Sequence, residues 1–413
     1  MGCDMAAALP AATGDGSTLF AHRSNRPIGE AQALFWAPRR DYAAGESVSV
    51  QRLTLPQARR THAFIGLRPV GMWGCLHGVN EHGLAMGTTP TCTRLRGETA
   101  GLTGADLVRL TLERSATARQ AVETTGGLVA RCGQGPYPGC SAEDDHDNAF
   151  LIADGKEAYL LAACGAHWAV QQVGAVRALN EVCHLRKDWD RISPGLADLA
   201  IGRGWWPADG SKMDFAGALE AEGGAGRLSY GWWGLATMLL EQRSGAVDHT
   251  LMRQLLSEPG PAGDMRPSAA AGLVAQTAAA PDAAPMAWHT FGLPRFNLYF
   301  PLPVVTEPPR FLRCDGYEEN GCELWRRTTR EPLDRPFSSA ARTALSELQA
   351  CFDQRAAEFS SETAALKRTG DEQGLRRLAE SFMQSNWERF EEVWGGLMGK
   401  EAAWEMVCQM DGL

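Results

Sequence analysis

The chain places a cysteine at position 3, behind only Met1 and Gly2. If those two residues are removed, Cys3 carries both a thiol and a free α-amine. An α-amine titrates at about 7.7–8, so near neutrality it can take the proton of its own thiol and leave a nucleophile. A free thiol, at pKa about 8.5, asks little of that base. The following residues read as strand, turn and strand: "MAAALPA" is apolar, "TGDG" is turn chemistry and "STLFAHR" resumes the apolar run. Such a hairpin lays His22, Arg23 and Asn25 beside Cys3. His22 has two readings. With Gly2 retained, its imidazole is the alternative base of a Cys–His pair; otherwise it is a strand residue pointing away. Arg23 can orient a substrate carboxylate through a bidentate contact, or be an ordinary surface arginine. Met-Gly-Cys also invites a reading as a double lipid anchor. That motif wants Ser or Thr at position 6, where this chain has Ala6, and no polybasic run follows.

The 413 residues suit one large domain with an extension, or two domains. A net charge of −9 argues against nonspecific binding to nucleic acid or anionic membranes, which needs clustered Lys and Arg. No segment approaches about 18 uninterrupted apolar residues, and no signal peptide is evident, so a soluble cytoplasmic protein is expected. The 11 cysteines include no CxxC pair, and the nine histidines include no HExxH. Neither a disulfide framework nor a metal or other cofactor is expected from that spacing.

Strands are expected at "THAFIGL" (61–67) and "GLAMGT" (83–88), with a hairpin over 149–163 turning at Asp154-Gly155. Thr103 can cap a helix running through "GADLVRLTLERSATARQAVE", and "GWWGLATMLLEQR" (231–243) reads as another. The Ala-, Gly- and Pro-rich stretch 259–285 reads as a loop holding one short strand, and 295–304 as a buried strand. Asn80 and Glu81 fit a turn. The pairs Trp205-Trp206 and Trp232-Trp233 fit the core. Beyond residue 306, charge crowds in and apolar residues recur at helical spacing, which predicts a helical extension able to pack on the core or to join two copies.

In order along the chain stand Cys3-Asp4, "DGSTLFA", "SNRP", "WGCLHGVNEHGLAMG", "GADLVRLTLERS", "GQG", "FLIADGKEAYLL", "GRGWW" and "PRFNLYFPL". Together they resemble the secernin and cysteine-dipeptidase branch of the N-terminal-nucleophile (Ntn) hydrolases, over about three-quarters of the chain. The resemblance implies an α+β fold: a four-layer αββα Ntn-hydrolase sandwich over 1–305, with the helical C-terminal extension over 306–413. It also implies that a mature N-terminal Cys3 cleaves a linear amide, in a dipeptide or an N-acyl compound, without a cofactor. Where secernin-like sequences read FAKNSDRP, this chain reads Phe20-Ala21-His22-Arg23-Ser24-Asn25-Arg26-Pro27, so Asn25 replaces a catalytic aspartate. Where they read IGNEA, the chain has Met86-Gly87-Thr88-Thr89-Pro90, which puts Thr88 at the asparagine expected to hold the oxyanion. A second family asparagine, in SNQ, falls near Leu179-Asn180-Glu181, with Asn180 one position off. The resemblance thus implies Cys3, Asn25, Thr88 and Asn180 as catalytic, with His22 and Arg23 facing a small-molecule or peptide substrate. Losing one oxyanion donor costs about 10²–10³ in rate, so these departures imply retuned acyl chemistry. The alternative is a secernin-like scaffold that has lost it.

Overall fold

The first residues form a hairpin because their apolar run is broken only by turn chemistry at 13–16. Its strands are β1 (Cys3–Ala8) and β2 (Thr18–Ser24), with Cys3 opposite Ser24 and Met5 opposite His22. The computed structural model describes residues 2–26, 30–95, 101–137, 146–221, 229–257, 271–277, 283–292, 298–313, 323–330 and 339–410. The next strands are β3 (Gln32–Ala37), β4 (Arg40–Asp41), β5 (Ser47–Ser49), β6 (Thr54–Pro56), β7 (Arg60–Thr61), β8 (Phe64–Pro69), β9 (His77–Asn80) and β10 (Ala85–Thr91). Helices α1 (Gly104–Arg114) and α2 (Ala118–Cys132) separate them from β11 (Asp147–Ala153), β12 (Ala158–Cys164), β13 (His167–Gln172), β14 (Val176–Leu179) and β15 (Arg191–Ile192). Then come α3 (Leu196–Gly202), α4 (Phe215–Leu219), α5 (Ser229–Gln242), α6 (His249–Ser257), β16 (Ala271–Thr277), β17 (Met286–Phe291), β18 (Phe300–Pro303), α7 (Glu323–Trp325), α8 (Ser339–Thr369) and α9 (Glu372–Met410).

Two antiparallel sheets face one another, one ordered β14-β1-β2-β16-β17-β18 and the other β15-β13-β12-β11-β10-β9-β8-β3. Strand side chains alternate between faces, and the apolar residues sort accordingly. Met5, Phe20, Val79, Ala85 and Leu151 point between the sheets. Met86, Phe150, Ile152 and Leu161 point the other way, under Leu107, Leu110, Val122 and Val129 of α1 and α2. Helices α5 and α6 cover the far face of the six-stranded sheet. The result is the expected four-layer αββα sandwich. It explains why β1, buried along its whole length, is alanine-rich: both its faces are covered, so alternation of polar and apolar is lost.

The single helix expected after Thr103 is two. Thr103 caps α1 in a reciprocal box with Asp106, but Ser115 is extended and Thr117 caps α2 through Gln120 N–H. The break is held from outside: Asn80 Nδ2 donates to the Leu112 and Ser115 carbonyls, and Asp154 accepts from Ala118 N–H. The hairpin turning at Asp154 joins β11 to β12, and among the described residues of 259–285 one strand, β16, is found, while 259–270 and 278–282 lie outside the described residues. The buried strand expected over 295–304 is shorter, at Phe300–Pro303, and 293–297 lie outside the described residues. Trp232 is buried in the core, with Trp205, Trp206 and Trp233 packed partly buried against it. In the tail, α8 and α9 form a helical pair whose Phe352 and Trp387 pack on Phe300 of the edge strand β18. Among the described residues no helix is long and apolar enough to cross a membrane.

Gly87 of β10 sets the spacing between the sheets beside β1. A Cβ there would overlap His22 Cδ2 and crowd Met5 and Phe20. Gly87→Ala is therefore expected to cost about 1–3 kcal/mol, read as a lowered urea midpoint with unchanged slope.

Candidate active site

Cys3 opens β1 between the two sheets and is 5% exposed. Its backbone N–H crosses to the opposite sheet and donates to Thr89 Oγ1 at 3.0 Å. The Asn25 backbone N–H lies on the side of its thiol and favours the thiolate. Burial pushes the thiol up to about 11, against the pull of that N–H and of the Arg26 guanidinium. The Cys3 nitrogen is thus held, and with Gly2 attached the thiol is neutral. Arg26 is fork-bonded to Glu30 and lies 6.0 Å from the Tyr137 ring centroid. Burial, and then the Cys3 thiol beside it, keep the Tyr137 phenol un-ionised.

Strand parity decides which expected residues share this face. Cys3, Met5, Phe20, His22 and Ser24 point between the sheets; Asp4 and Arg23 point to the helical layer. Arg23 is buried there, ion-paired with Asp4, and its guanidinium donates to the Leu256 carbonyl at 2.9 Å. It is a structural arginine on the face opposite the thiol, and does not meet substrate beside Cys3 as expected. Asn25 Nδ2 also donates to Asp4 Oδ2, at 2.8 Å, so Asn25 meets Cys3 through its backbone and not its side chain.

Thr88 and Asn180 likewise fall on the wrong faces. Thr88 Oγ1 turns outward to Asn148 Oδ1 and the Ala149 carbonyl, while its neighbour Thr89 reaches Cys3. Asn180 Oδ1 meets His184 Nε2 at 2.8 Å, and that ring lies against Trp233 of α5. Extending the Met5–Leu179 pairing by two residues puts Glu181 opposite Cys3. The Glu181 carboxylate lies against Gly2, where a Cβ would overlap it. A one-residue shift on a strand exchanges faces, so Thr88 and Asn180 turn away from Cys3 while their neighbours Thr89 and Glu181 lie against Cys3 and Gly2.

His22 shares the inner face but is not available as a base. Its Nε2 meets the Thr88 carbonyl at 3.1 Å and its Nδ1 meets His77 Nδ1 at 2.9 Å. A carbonyl only accepts, so Nε2 carries the proton, and the Nδ1 lone pair is taken by His77. Burial pulls His22 down to about 4, overriding the Thr88 contact. The ring closes the inner end of the site. The residues missed by sequence reasoning are Ser24, Thr89, Glu181, Arg26 and Tyr137. Ser24 Oγ, on the Cys3 face and fully buried, has no hydrogen-bond partner among the described residues. Strand parity alone points to Ser24 and Thr89; no local signal joins Tyr137 to Cys3.

His77 stacks on His289, and both ring nitrogens of His289 lack partners among the described residues. Burial holds His289 at about 3 and His77 well below its ordinary value. Unfolded histidines titrate near about 6.5, so between there and pH 4 the unfolded chain binds more protons. Stability complete at neutral pH should therefore fall as pH drops from about 6.5 towards 4, read as the urea midpoint. His289→Leu should flatten that fall while preserving stability at pH 7.

Residues 40–135 match the family model described as acyl-coenzyme A:6-aminopenicillanic acid acyl-transferase. Among solved structures, the chain is similar to a variant of conjugated bile acid hydrolase from Clostridium perfringens. That match has 12% identity, covers 77% of this chain and 95% of the other, and has a TM-score of 0.43. It is also similar to an N-acylethanolamine-hydrolyzing acid amidase ortholog from Caenorhabditis elegans, with 11% identity, coverage of 66% and 92%, and a TM-score of 0.33. Two facing antiparallel sheets between helical layers, with Cys3 opening an inner strand, give the chain a four-layer αββα fold.

Proposed function

We propose that the chain is a cysteine amidohydrolase or acyltransferase of the N-terminal-nucleophile type, acting on a linear amide such as a dipeptide or an N-acyl compound. One observation carries this reading: Cys3 opens a strand between the two sheets with its nitrogen held on Thr89 Oγ1. The acyltransferase family model across β10 supports the same chemistry. The finer placing in the secernin and cysteine-dipeptidase branch is supported by the order of the sequence motifs alone.

Removal of Met1 and Gly2 turns the Cys3 amide into an amine at the same position. The thiol proton passes to this amine, and sulfur attacks the substrate carbonyl carbon. The ammonium returns the proton to the departing nitrogen as the C–N bond breaks, leaving a thioester on Cys3. Water or another acyl acceptor then attacks the thioester, again through the amine, and the thiol is restored. The Asn25 N–H and the Ser24 hydroxyl are the donors placed to hold the oxyanion. Glu181 replaces the charge that Asn25 lacks: its carboxylate, packed on Gly2 before trimming, faces the new ammonium afterwards.

A second reading, a scaffold that has lost catalysis, is favoured by the burial of Cys3 and its thiol near 11. Three measurements separate the two. Intact mass should find a chain beginning at Cys3, an acyl-directed thiol probe should label Cys3 stoichiometrically near neutral pH, and Cys3→Ala should abolish turnover of dipeptide, N-acyl or thioester substrates without unfolding. In the untrimmed chain, Cys3 should alkylate more slowly than exposed Cys92. Full activity in a chain that keeps Gly2 would sink the amine-base mechanism, and absence of labelling at a trimmed Cys3 would establish the scaffold.

Glu181→Gln should lower the pKa of the Cys3 amine, because the carboxylate favours its charged form. The amine works as a base when unprotonated, so the acid limb of kcat/KM should move down by about one pH unit. An unchanged profile would remove Glu181 from the site.

A further inference from the structure

We propose that His62, Glu81 and His82 bind a divalent transition-metal ion of the zinc class, at the end of β10 remote from Cys3. His62 lies between β7 and β8, and Glu81 and His82 lie in the turn from β9 to β10. The three ligand atoms converge. His82 Nε2 stands 3.0 Å from His62 Nδ1, and Glu81 Oε1 stands 3.6 Å from His62 Nδ1 and 4.0 Å from His82 Nε2. With bonds of about 2.0–2.1 Å, a tetrahedral zinc ion holds its ligand atoms about 3.4 Å apart. Shifts of a few tenths of an ångström would close the triangle on an ion. Two imidazoles and a carboxylate are the donor set zinc favours where a fourth position stays open to water.

The backbone around the three residues is fixed before any ion arrives. Asn80 Oδ1 accepts from His82 N–H at 3.0 Å and Leu84 N–H at 3.1 Å, and Asn80 Nδ2 is spent on the α1 carbonyls. Glu81 N–H donates to the Ala63 carbonyl, and Ala63 N–H returns to Glu81 Oε1 at 3.0 Å. His62 N–H is anchored on the Glu113 carbonyl at 2.7 Å. The Arg39 guanidinium donates to Glu81 Oε2 at 2.7 Å and to Oε1 at 3.0 Å, so it orients the carboxylate and competes for it. The side chains of His62, Glu81 and His82 are 20%, 17% and 35% exposed, enough for an ion to enter from solvent. His62 also lines an open cavity of about 680 Å³ beside Arg114 and Gln120. Glu81 and His82 are neighbours in sequence and His62 lies far upstream, so no short spacing motif announces them.

The test is calorimetric titration of the full chain with zinc chloride, coupled to zinc-edge X-ray absorption to identify the donors, because cysteines also take zinc. The expected result is one nitrogen- and oxygen-ligated site that His82→Ala weakens at least about tenfold with unchanged circular dichroism. Arg39→Ala, which removes the competing cation, should tighten it. Absence of binding at millimolar zinc, sulfur-only ligation, or equal affinity in His82→Ala would overturn the proposal. None of these outcomes depends on Cys3.

Discussion

The hydrogen bond from Cys3 N–H to Thr89 Oγ1 requires two sheets to approach at one point, and much of the sandwich follows from that approach. Room between the sheets nearby is needed, and Gly87 on β10 leaves space that His22 fills. On the other face of β1, Asp4 gathers Arg23 and Asn25 and fixes the hairpin end from which the Asn25 N–H reaches the thiol. The packing of both sheets thus sets the Cys3 nitrogen against a hydroxyl. Geometry set in advance by packed strands is what a site of this kind requires.

The polar groups buried around β1 are individually costly. The Asp4–Arg23 pair is almost fully buried, and desolvation offsets much of its attraction. What it supplies is direction. Arg23 is tied to the Leu256 carbonyl of α6, so the helical layer, β2 and β1 are held in one arrangement. The His22–His77 contact does the same between the sheets, linking β2 to β9 through two neutral rings.

The architecture was largely legible in the sequence because hydrophobic period and turn chemistry are local signals. The first hairpin, the Asp154 turn, the Thr103 cap and the long terminal helices all follow from residues within a few positions of one another. The division of α1 from α2 was not legible, since Asn80 and Asp154, from distant strands, stabilise the break. The placement of Cys3 beside the first hairpin was legible, but the facing of the residues around it was not. Thr88 and Asn180 each stand one residue from Thr89 and Glu181, which lie against Cys3 and Gly2, and on a strand one residue reverses the side chain. Register depends on pairing across the sheet, and motif spacing does not contain it.

The place of β16 has a consequence in time. Strand β2 lies between β1 and β16, so the inner hairpin meets a partner encoded about 250 residues later. At about 5–20 residues per second, synthesis leaves the first strands unpaired on that side for some tens of seconds or less. During this interval Cys3 sits on a strand not yet closed into the sandwich. The order of synthesis thus separates an accessible thiol in the growing chain from the buried thiol of the finished protein.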